Sequence, residues 1–194
     1  MIYHNETTCR SCGAARLETI LSFGETPLAD RLLTAEQLDK PEYKAPLTLA
    51  FCQECSLAQI VETVDPTILF YAEYPYFSSV SPSLLRHFAE SAHDILATRS
   101  LSAGSLVVEA ASNDGYMLKN FAAQGIPVLG IDPSVAPAQA AVKAGIPTLF
   151  TFFGRELAEQ LVQEGKRADI FLANNVLAHV PDLNSFVAGV RIAL

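Results

Sequence analysis

The sequence predicts an α/β protein in which a small cysteine-rich module precedes a parallel sheet of the Rossmann type. All four cysteines fall within the first 55 residues, as two C-x-x-C pairs. From residue 105 onward, short apolar runs alternate about four times with helical patterns, as in the βα units of a parallel sheet. We expect a metal-binding module over residues 1–60, a connecting loop and helix over 61–100, and an incomplete α/β domain over 101–194.

The paired cysteines predict a structural zinc site. A thiolate pair at positions i and i+3 grips one edge of a metal ion from a single tight turn, and two pairs complete a closed tetrahedron. Gly13 follows the first pair and suits the left-handed turn of such a knuckle, whereas Ser56 occupies the matching place after the second. Two disulfides or four buried thiols are the alternatives, but nothing else in the sequence indicates an oxidising compartment. The expected ligands are Cys9, Cys12, Cys52 and Cys55.

Composition narrows the class of protein. The chain has 194 residues, of which 50% are hydrophobic and 18% charged, and this composition is typical of a globular protein. A formal charge of −8 argues against a nucleic-acid partner, which a basic face would attract. We find no apolar run of the length that a membrane helix needs, and no basic start followed by an apolar block. We therefore expect neither a membrane span nor a signal peptide, and a location in the reducing cytoplasm.

The elements before residue 105 are predicted from their patterns. Residues 21–30 are strand-like and then turn, and residues 43–51 alternate as a second strand. The segment from Tyr71 to Ser79 concentrates three tyrosines around a proline, which is typical of a loop over a pocket or of an interdomain packing patch. Residues 82–98 predict an amphipathic helix.

From residue 105 the alternation predicts four βα units. Pro137 is expected to kink or delay the second helix, and the glycines at 125, 145 and 165 to end the first three helices. Because the chain stops at Leu194 within a helical pattern, we expect it to belong to a longer protein. The strands are expected near 105–109, 127–131, 148–151 and 168–172, and the helices near 115–124, 134–144, 154–164 and from about residue 182.

The first of these units predicts a cofactor pocket. Its strand ends at Glu109 and runs into a turn of small polar residues, and the next strand ends in an acid, Asp132. An acid one βα unit downstream is placed to accept both hydroxyl groups of a ribose. The turn at 111–115 lacks the three glycines that let a pyrophosphate approach the backbone. We therefore expect an adenosine cofactor, S-adenosylmethionine rather than NAD.

Several motifs in register resemble one family. After the two C-x-x-C pairs come Tyr-Pro-Tyr-Phe-Ser-Ser, Val-Val-Glu-Ala-Ala-Ser-Asn-Asp-Gly-Tyr, Leu-Gly-Ile-Asp-Pro and Asn-Asn-Val-Leu-Ala-His-Val. This order resembles the sugar C-methyltransferases, which act on nucleotide-linked keto-deoxysugars in antibiotic biosynthesis. Members have a zinc-binding N-terminal domain, a central S-adenosylmethionine domain and a further C-terminal domain. The resemblance implies that this chain holds the first domain and the first half of a Rossmann-like class I methyltransferase domain.

The resemblance also implies a reaction. A base removes a proton next to the ketone of a nucleotide-linked 4-keto-deoxysugar, typically at carbon 3, and the enolate attacks the sulfonium methyl group. The substrate is expected to be dTDP-linked. Tyr76 and His179 match positions that the family uses near the sugar, where acid–base or oxyanion duty is implied. The implied cofactor-binding residues are Glu109, Ala111, Asn113, Asp114, Gly115, Asp132, Pro133, Phe153, Asn174 and Asn175.

The sequence departs from the family pattern at two places. Ala111 stands where methyltransferases often have glycine, and its methyl group narrows the approach to the backbone. The family also carries further catalytic residues, including a histidine candidate for the base, in a C-terminal part that this sequence does not contain. Two other functions stay open: an NAD-dependent enzyme, and a non-catalytic zinc-ribbon module that binds a protein.

Two of the proposed site residues have structural alternatives. From the residues alone, His179 is better explained as a helix-start or core histidine. Asp132 has a second role open to it as the cap of the following helix, and this role is compatible with binding a ribose.

Overall fold

The structure is a computed structural model that describes residues 2–71 and 74–194. Ala72 and Glu73, in the predicted tyrosine-rich loop, lie outside the described residues. The chain divides into two compact units: Met1–Tyr71 with Pro181–Asn184, and Ala72–Val180 with Ser185–Leu194. Among the described residues, no helix combines the length and the apolar character needed to cross a membrane.

The first unit is built from short antiparallel strands. A three-stranded sheet has the order β2-β3-β4, and a separate pair joins β1 to β5. Both strands predicted between the cysteine pairs are present, and β2 begins four residues earlier than expected. The elements are β1 Tyr3–Asn5, β2 Leu17–Pro27, β3 Lys44–Cys52, β4 Ala58–Ile60, β5 Glu62–Val64 and the helical turn α1 Pro66–Leu69.

The second unit begins with helix α2, Pro82–Thr98, at the predicted bounds. Ser81 caps its start, because the Ser81 hydroxyl accepts a hydrogen bond from the backbone N–H of Leu84 at 3.4 Å. Pro82 occupies the first turn, where its missing N–H has no intrahelical partner to lose. The buried residues of this helix, Phe88 and Ala92, pack against one core of the α/β unit.

A four-stranded parallel sheet forms the centre of the second unit, as the alternation predicts. Its order is β8-β7-β6-β9, so the chain moves outward from β6 to β8 and then crosses to the other side of β6. The bounds are β6 Val107–Ala110, α3 Leu118–Ala122, β7 Val128–Ile131, α4 Val135–Lys143, β8 Thr148–Leu149, α5 Arg155–Gln163, β9 Ile170–Leu172 and α6 Leu183–Ala193. The reversal on the two sides of β6 is a topological switch point, where α/β sheets bind ligands beyond the carboxyl ends of their strands.

Alternate residues of β6 and β7 serve two hydrophobic cores. Val107 and Val128 join the core that contains α2 and α3, whereas Val108, Leu129 and Ile131 join the core that contains α5. Strands that are covered on both faces need apolar residues at successive positions, which explains the nearly continuous apolar runs of the sequence.

Five helix boundaries show where local sequence patterns predicted the structure and where they did not. Helix α3 begins at Leu118 rather than near 115, because Asn113 and Gly115 adopt positive φ angles of 50° and 78° and prolong the turn. Pro137 does not delay α4, which begins at Val135, because the first-turn N–H groups of a helix have no intrahelical acceptor. Positive φ angles at Gly125, Gly145 and Gly165 end helices α3, α4 and α5 as predicted.

Gly130 lets the turn after β6 pack closely on β7. A Cβ atom at this position would lie 2.5 Å from the Ser112 hydroxyl oxygen and 2.9 Å from the Thr148 hydroxyl oxygen. The Ser112 Cβ atom would lie 3.1 Å away, and it moves only with the backbone of the turn, so glycine lets the turn pack this close to the sheet.

We expect Gly130→Ala to lower the free energy of unfolding by about 1–3 kcal/mol, because overpacking forces neighbouring groups to shift. Urea unfolding of the second unit measures this change. Gly104→Ala is the matched control, since a Cβ atom there meets only the Ser102 hydroxyl, at 3.7 Å. Equal stability of the two variants would contradict the packing role of Gly130.

Candidate functional site

The four cysteines converge in the first unit. The Cys9 and Cys55 sulfur atoms lie 3.5 Å apart and those of Cys12 and Cys52 3.6 Å apart. All four sulfur atoms lie within 4.8 Å of one another. In a tetrahedral site with zinc–sulfur bonds of about 2.3 Å, neighbouring sulfur atoms are about 3.8 Å apart. The cluster therefore fits a zinc ion with four thiolate ligands, and no disulfide links these residues.

Two matching turns present the cysteines. In the first, the Gly13 N–H donates to the Cys9 carbonyl at 2.9 Å, and in the second the Ser56 N–H donates to the Cys52 carbonyl at 2.9 Å. Gly13 and Ser56 have φ angles of 74° and 65°, so both adopt the left-handed conformation predicted for a knuckle. The serine carries a steric cost that glycine avoids.

The first knuckle favours the thiolate form of Cys9, whereas the pKa of its second ligand, Cys12, is raised: a backbone hydrogen bond from Ala14 lowers it, but burial and the neighbouring thiols outweigh that bond. Burial opposes ionisation of Cys9, but backbone N–H groups of Cys12 and Ser11 outweigh this effect and lower the pKa of the thiol to about 7. Because zinc binds the thiolate, these N–H groups prepare the site for the metal.

In the second unit, the turn after β6 adopts an unusual backbone. Ala111, Asn113 and Gly115 all have positive φ angles, of 54°, 50° and 78°. Asparagine and glycine accept this conformation readily, but an alanine there costs on the order of 1 kcal/mol. The alanine predicted to narrow the turn therefore also strains it.

Glu109 lies at the carboxyl end of β6, at the switch point, with no exposed surface. Its Oε1 atom accepts hydrogen bonds from the Asn174 side-chain amide at 2.9 Å and from the Tyr116 hydroxyl at 3.2 Å. Burial raises the pKa of the Glu109 carboxyl group to about 8, despite these two hydrogen bonds, and the charges of Asp132 and Asp114 add to the rise.

Asp132, at the end of β7, organises the loops around it. Its Oδ2 atom accepts from the Asn113 N–H at 2.8 Å, and its Oδ1 atom accepts from the Ser134 N–H at 2.8 Å. The second bond lies directly before helix α4, so the capping role proposed from the sequence is present. Burial raises the pKa of Asp132 as well. Each carboxylate oxygen has a further lone pair, so ribose binding stays a prediction compatible with this geometry.

Asn113 and Asp114 bind the segment that follows the undescribed residues. The Asn113 amide accepts from the Ser78 N–H at 2.8 Å and donates to the Tyr76 carbonyl at 3.0 Å. The Asp114 Oδ2 atom accepts from the Ser79 N–H at 3.2 Å and from the Ser79 hydroxyl. The turn after β6 thus holds the tyrosine-containing loop through side chains that the sequence assigned to the cofactor.

Three buried polar atoms in this turn have no hydrogen-bond partner among the described residues: Glu109 Oε2, Ser112 Oγ and Asp114 Oδ1. Buried polar groups are otherwise paired in nearly every protein, so unpaired ones of this kind indicate where a ligand or an ordered water binds. They occur within six consecutive positions at the switch point.

The other predicted site residues occupy different positions. Pro133 is half-buried beside Asp132, and Asn175 is exposed with a φ angle of 53°. The Phe153 ring packs against Phe171 and Phe186, with ring centres 4.7 and 5.3 Å away, so it belongs to an aromatic cluster. Contact between Phe153 and an adenine stays a prediction.

Neither candidate catalytic residue is in a core. His179 is exposed at the end of the helical turn 177–179, so the interpretation as a core histidine was wrong. The Tyr76 side chain is 45% exposed. Their catalytic roles stay predictions.

Sequence reasoning missed two contributors to the site. The Tyr116 hydroxyl hydrogen-bonds to Glu109, and Ser112 contributes an unpaired buried hydroxyl. Tyr116 directly follows the turn, but its pattern also suits a helix core residue, and it does pack its ring against Phe88. Only the fold shows that its hydroxyl group faces a carboxyl group.

Comparison with known proteins matches the cysteine-containing part to a zinc-binding domain and nearly the whole chain to a C-methyltransferase. A family model named for methyltransferases and described as a "Putative zinc binding domain" matches residues 9–70. The C-methyltransferase NovU of Streptomyces niveus is 32% identical over 186 residues. The chain is therefore similar to a C-methyltransferase over nearly its whole length, with a match to a zinc-binding domain near its N-terminus. The match with NovU covers 96% of this chain and 44% of NovU, so the chain spans less than half the length of that relative.

We expect Cys52→Ala to lose the single zinc ion and to unfold residues 2–71. Apparent free energies of zinc binding at such sites are about 10–16 kcal/mol, which matches or exceeds the stability of a typical domain. Metal analysis by mass spectrometry and circular dichroism test this. Ser11→Ala, beside two ligands, should keep one zinc per chain. Zinc retained by the Cys52 variant would contradict the four-thiolate site.

We expect the burial of Glu109 to make stability depend on pH. The pKa of this group is about 8 in the folded protein against an ordinary value of 4.5. Between these values the native state keeps a proton that the unfolded chain has released. The free energy of unfolding therefore falls as pH rises, by up to about 1.4 kcal/mol per pH unit.

Glu109→Gln should remove this dependence, because the amide does not titrate. Urea midpoints at four pH values from about 5 to 8 measure it. The exposed Glu159→Gln serves as the control and should follow the wild-type chain. Parallel curves for all three proteins would show that Glu109 is ionised in the native state throughout.

Proposed function

We propose that this chain is the zinc- and cofactor-binding part of an S-adenosylmethionine-dependent C-methyltransferase. The substrate that we propose is a nucleotide-linked 4-keto-deoxysugar, dTDP-linked and methylated at carbon 3, as in antibiotic biosynthesis. The similarity to NovU, whose name is C-methyltransferase, supports the reaction class. The motifs shared with the sugar C-methyltransferases support the choice of substrate.

The unpaired acceptor atoms at the switch point carry this proposal. Glu109 Oε2 and Asp114 Oδ1 are buried carboxyl oxygens that lack partners among the described residues, and Asp132 lies beside the same turn. A cationic ligand stabilises the ionised form of such carboxyl groups, so its binding and the release of the Glu109 proton favour each other. S-adenosylmethionine carries a sulfonium and an ammonium group, and its ribose offers two hydroxyl donors. The residues therefore fit this cofactor.

The same acidic groups argue against NAD. A dinucleotide places a doubly negative pyrophosphate at the turn after the first strand, where glycines let it contact backbone N–H groups. Here the turn has alanine at 111, and the N–H of Asn113 is already bonded to Asp132. A pyrophosphate would meet buried carboxyl groups instead of free donors.

In this proposal, residues of the chain bind the cofactor and act on the sugar. Glu109 and Asp114 bind the amino-acid part and the ribose side of the pocket through their unpaired oxygens, and Asp132 accepts the ribose hydroxyls. Tyr76 and His179 act near the sugar, where a proton must leave the carbon next to the ketone and an oxyanion must be stabilised. S-adenosylmethionine, when bound, supplies the electrophilic methyl group.

Zinc holds the first unit together and takes no part in the chemistry, because four cysteine ligands close its coordination shell. We place the protein in the cytoplasm, where reduced thiols remain available for the metal. A non-catalytic zinc-ribbon module is the alternative, and it assigns no ligand to the buried unpaired carboxyl oxygens.

Calorimetric titration of S-adenosylhomocysteine, with NADH as the comparison, tests the cofactor assignment. We expect selective binding, and Glu109→Gln to weaken it by about 10–100-fold, since hydrogen bonds to charged groups contribute about 1.5–3 kcal/mol. Glu159→Gln, exposed on helix α5, should bind as the wild type does. Selective NADH binding would favour the dehydrogenase alternative, and binding of neither ligand would favour the non-catalytic module.

A further inference from the structure

The Asn113 side chain is 7% exposed, and both of its polar atoms are occupied. The oxygen accepts from the Ser78 N–H at 2.8 Å, the nitrogen donates to the Tyr76 carbonyl at 3.0 Å, and the backbone N–H of Asn113 donates to Asp132 at 2.8 Å. Asn113 therefore connects the turn after β6 to Asp132 and to the loop at 76–78. Both polar atoms of its amide group are thus engaged by this loop, which leaves one N–H donor and one oxygen lone pair.

We propose that Asn113 is a positioning residue that fixes Tyr76 for the sugar substrate, rather than a ligand of the cofactor. The proposal rests on the function proposed above, and it changes the role that the sequence suggested for this asparagine. In this role, the Asn113 side chain links the turn after β6 to Tyr76, a candidate catalytic residue.

The location of Tyr76 supports this role. Its backbone carbonyl is held by Asn113, while its side chain remains 45% exposed and available to a substrate. Burial and the neighbouring Glu109 raise the pKa of Tyr116, and the Tyr76 hydroxyl contributes to that rise. The Tyr76 phenol therefore acts electrostatically on Tyr116, whose hydroxyl hydrogen-bonds to Glu109.

Asp114 reinforces the same loop through a different pair of bonds. Its Oδ2 atom accepts from the backbone N–H and the hydroxyl of Ser79. Its Oδ1 atom is unpaired among the described residues, so this aspartate has one oxygen for the loop and one for a ligand. Both polar atoms of the Asn113 amide, by contrast, bind the loop, and this difference separates positioning from binding.

The backbone of Asn113 makes the hypothesis testable. Its φ angle is 50°, a conformation that asparagine and glycine adopt readily and alanine does not. Asn113→Gly keeps the turn and removes only the amide group. Asn113→Ala removes the amide and also strains the turn. Asn113→Asp keeps an acceptor for the Ser78 N–H but has no donor for the Tyr76 carbonyl.

Hydrogen exchange of the Ser78 amide gives the first readout. We expect exchange to accelerate about tenfold in Asn113→Gly, the equivalent of one lost hydrogen bond, and to stay near the wild-type rate in Asn113→Asp. The amides of strand β6 should be unchanged in both variants. Unchanged Ser78 exchange in Asn113→Gly would overturn the proposal, because the loop would then be held by other contacts.

Binding and kinetics give the second readout, with the chain in its complete protein. We expect Asn113→Gly to keep the affinity for S-adenosylhomocysteine within about threefold and to lower kcat by about tenfold or more. Tyr76→Phe should then add little to the Asn113→Gly variant, because residues that act as a unit are not additive. If the cofactor affinity fell by the same factor as kcat, Asn113 would be a cofactor ligand. If the effects of Asn113→Gly and Tyr76→Phe on kcat were additive, Asn113 would act independently of Tyr76.

The two hypotheses fail in different ways. If the wild-type protein neither binds S-adenosylhomocysteine nor methylates a keto-deoxysugar, the proposed function fails and the positioning role fails with it. If the wild-type protein does both and only the Asn113 variants behave as cofactor-binding mutants, the proposed function stands and the positioning role is excluded.

Discussion

Glu109 carries a carboxyl group that the fold removes completely from water at the carboxyl end of the central strand. Removing such a group from water costs several kcal/mol unless it is protonated or paired. The Tyr116 hydroxyl and the Asn174 amide both donate to the same oxygen, Glu109 Oε1. These bonds hold the residues before α3 and the segment after β9 close to β6. The geometry of the switch point therefore depends on this one carboxyl group, and its second oxygen remains for a ligand.

The turn that follows Glu109 carries side chains that form hydrogen bonds, which a glycine-rich turn lacks. Glycines would let the backbone turn tightly at no steric cost, but they would provide no side chains. Here asparagine at 113 supplies the left-handed conformation together with an amide group, and Asp114 supplies a carboxylate. The strain at Ala111 is the cost of this arrangement. In return, the side chains of the turn hold the loop at residues 76–79.

The first unit depends on a different constraint. Strand β2 is exposed along almost its whole length, so this unit buries little apolar surface of its own. Two knuckles of the same design present four thiols to one point, and the metal supplies the free energy that a small core lacks. Each knuckle needs a residue with a left-handed backbone conformation directly after its cysteine pair, and this need explains the positive φ angle of Ser56.

The sequence by itself determined the class of fold, the four metal ligands and most element bounds. Strand and helix periods, glycine stops and cysteine spacing act over a few residues, so they are visible in the order of residues. The length of the turn before α3 was not visible, because it depends on left-handed residues at 113 and 115. The tertiary structure alone decided which atoms of Glu109, Asn113 and Asp114 are paired and which are not. Those partners lie up to 65 positions away in the chain, and only folding brings them within hydrogen-bonding distance.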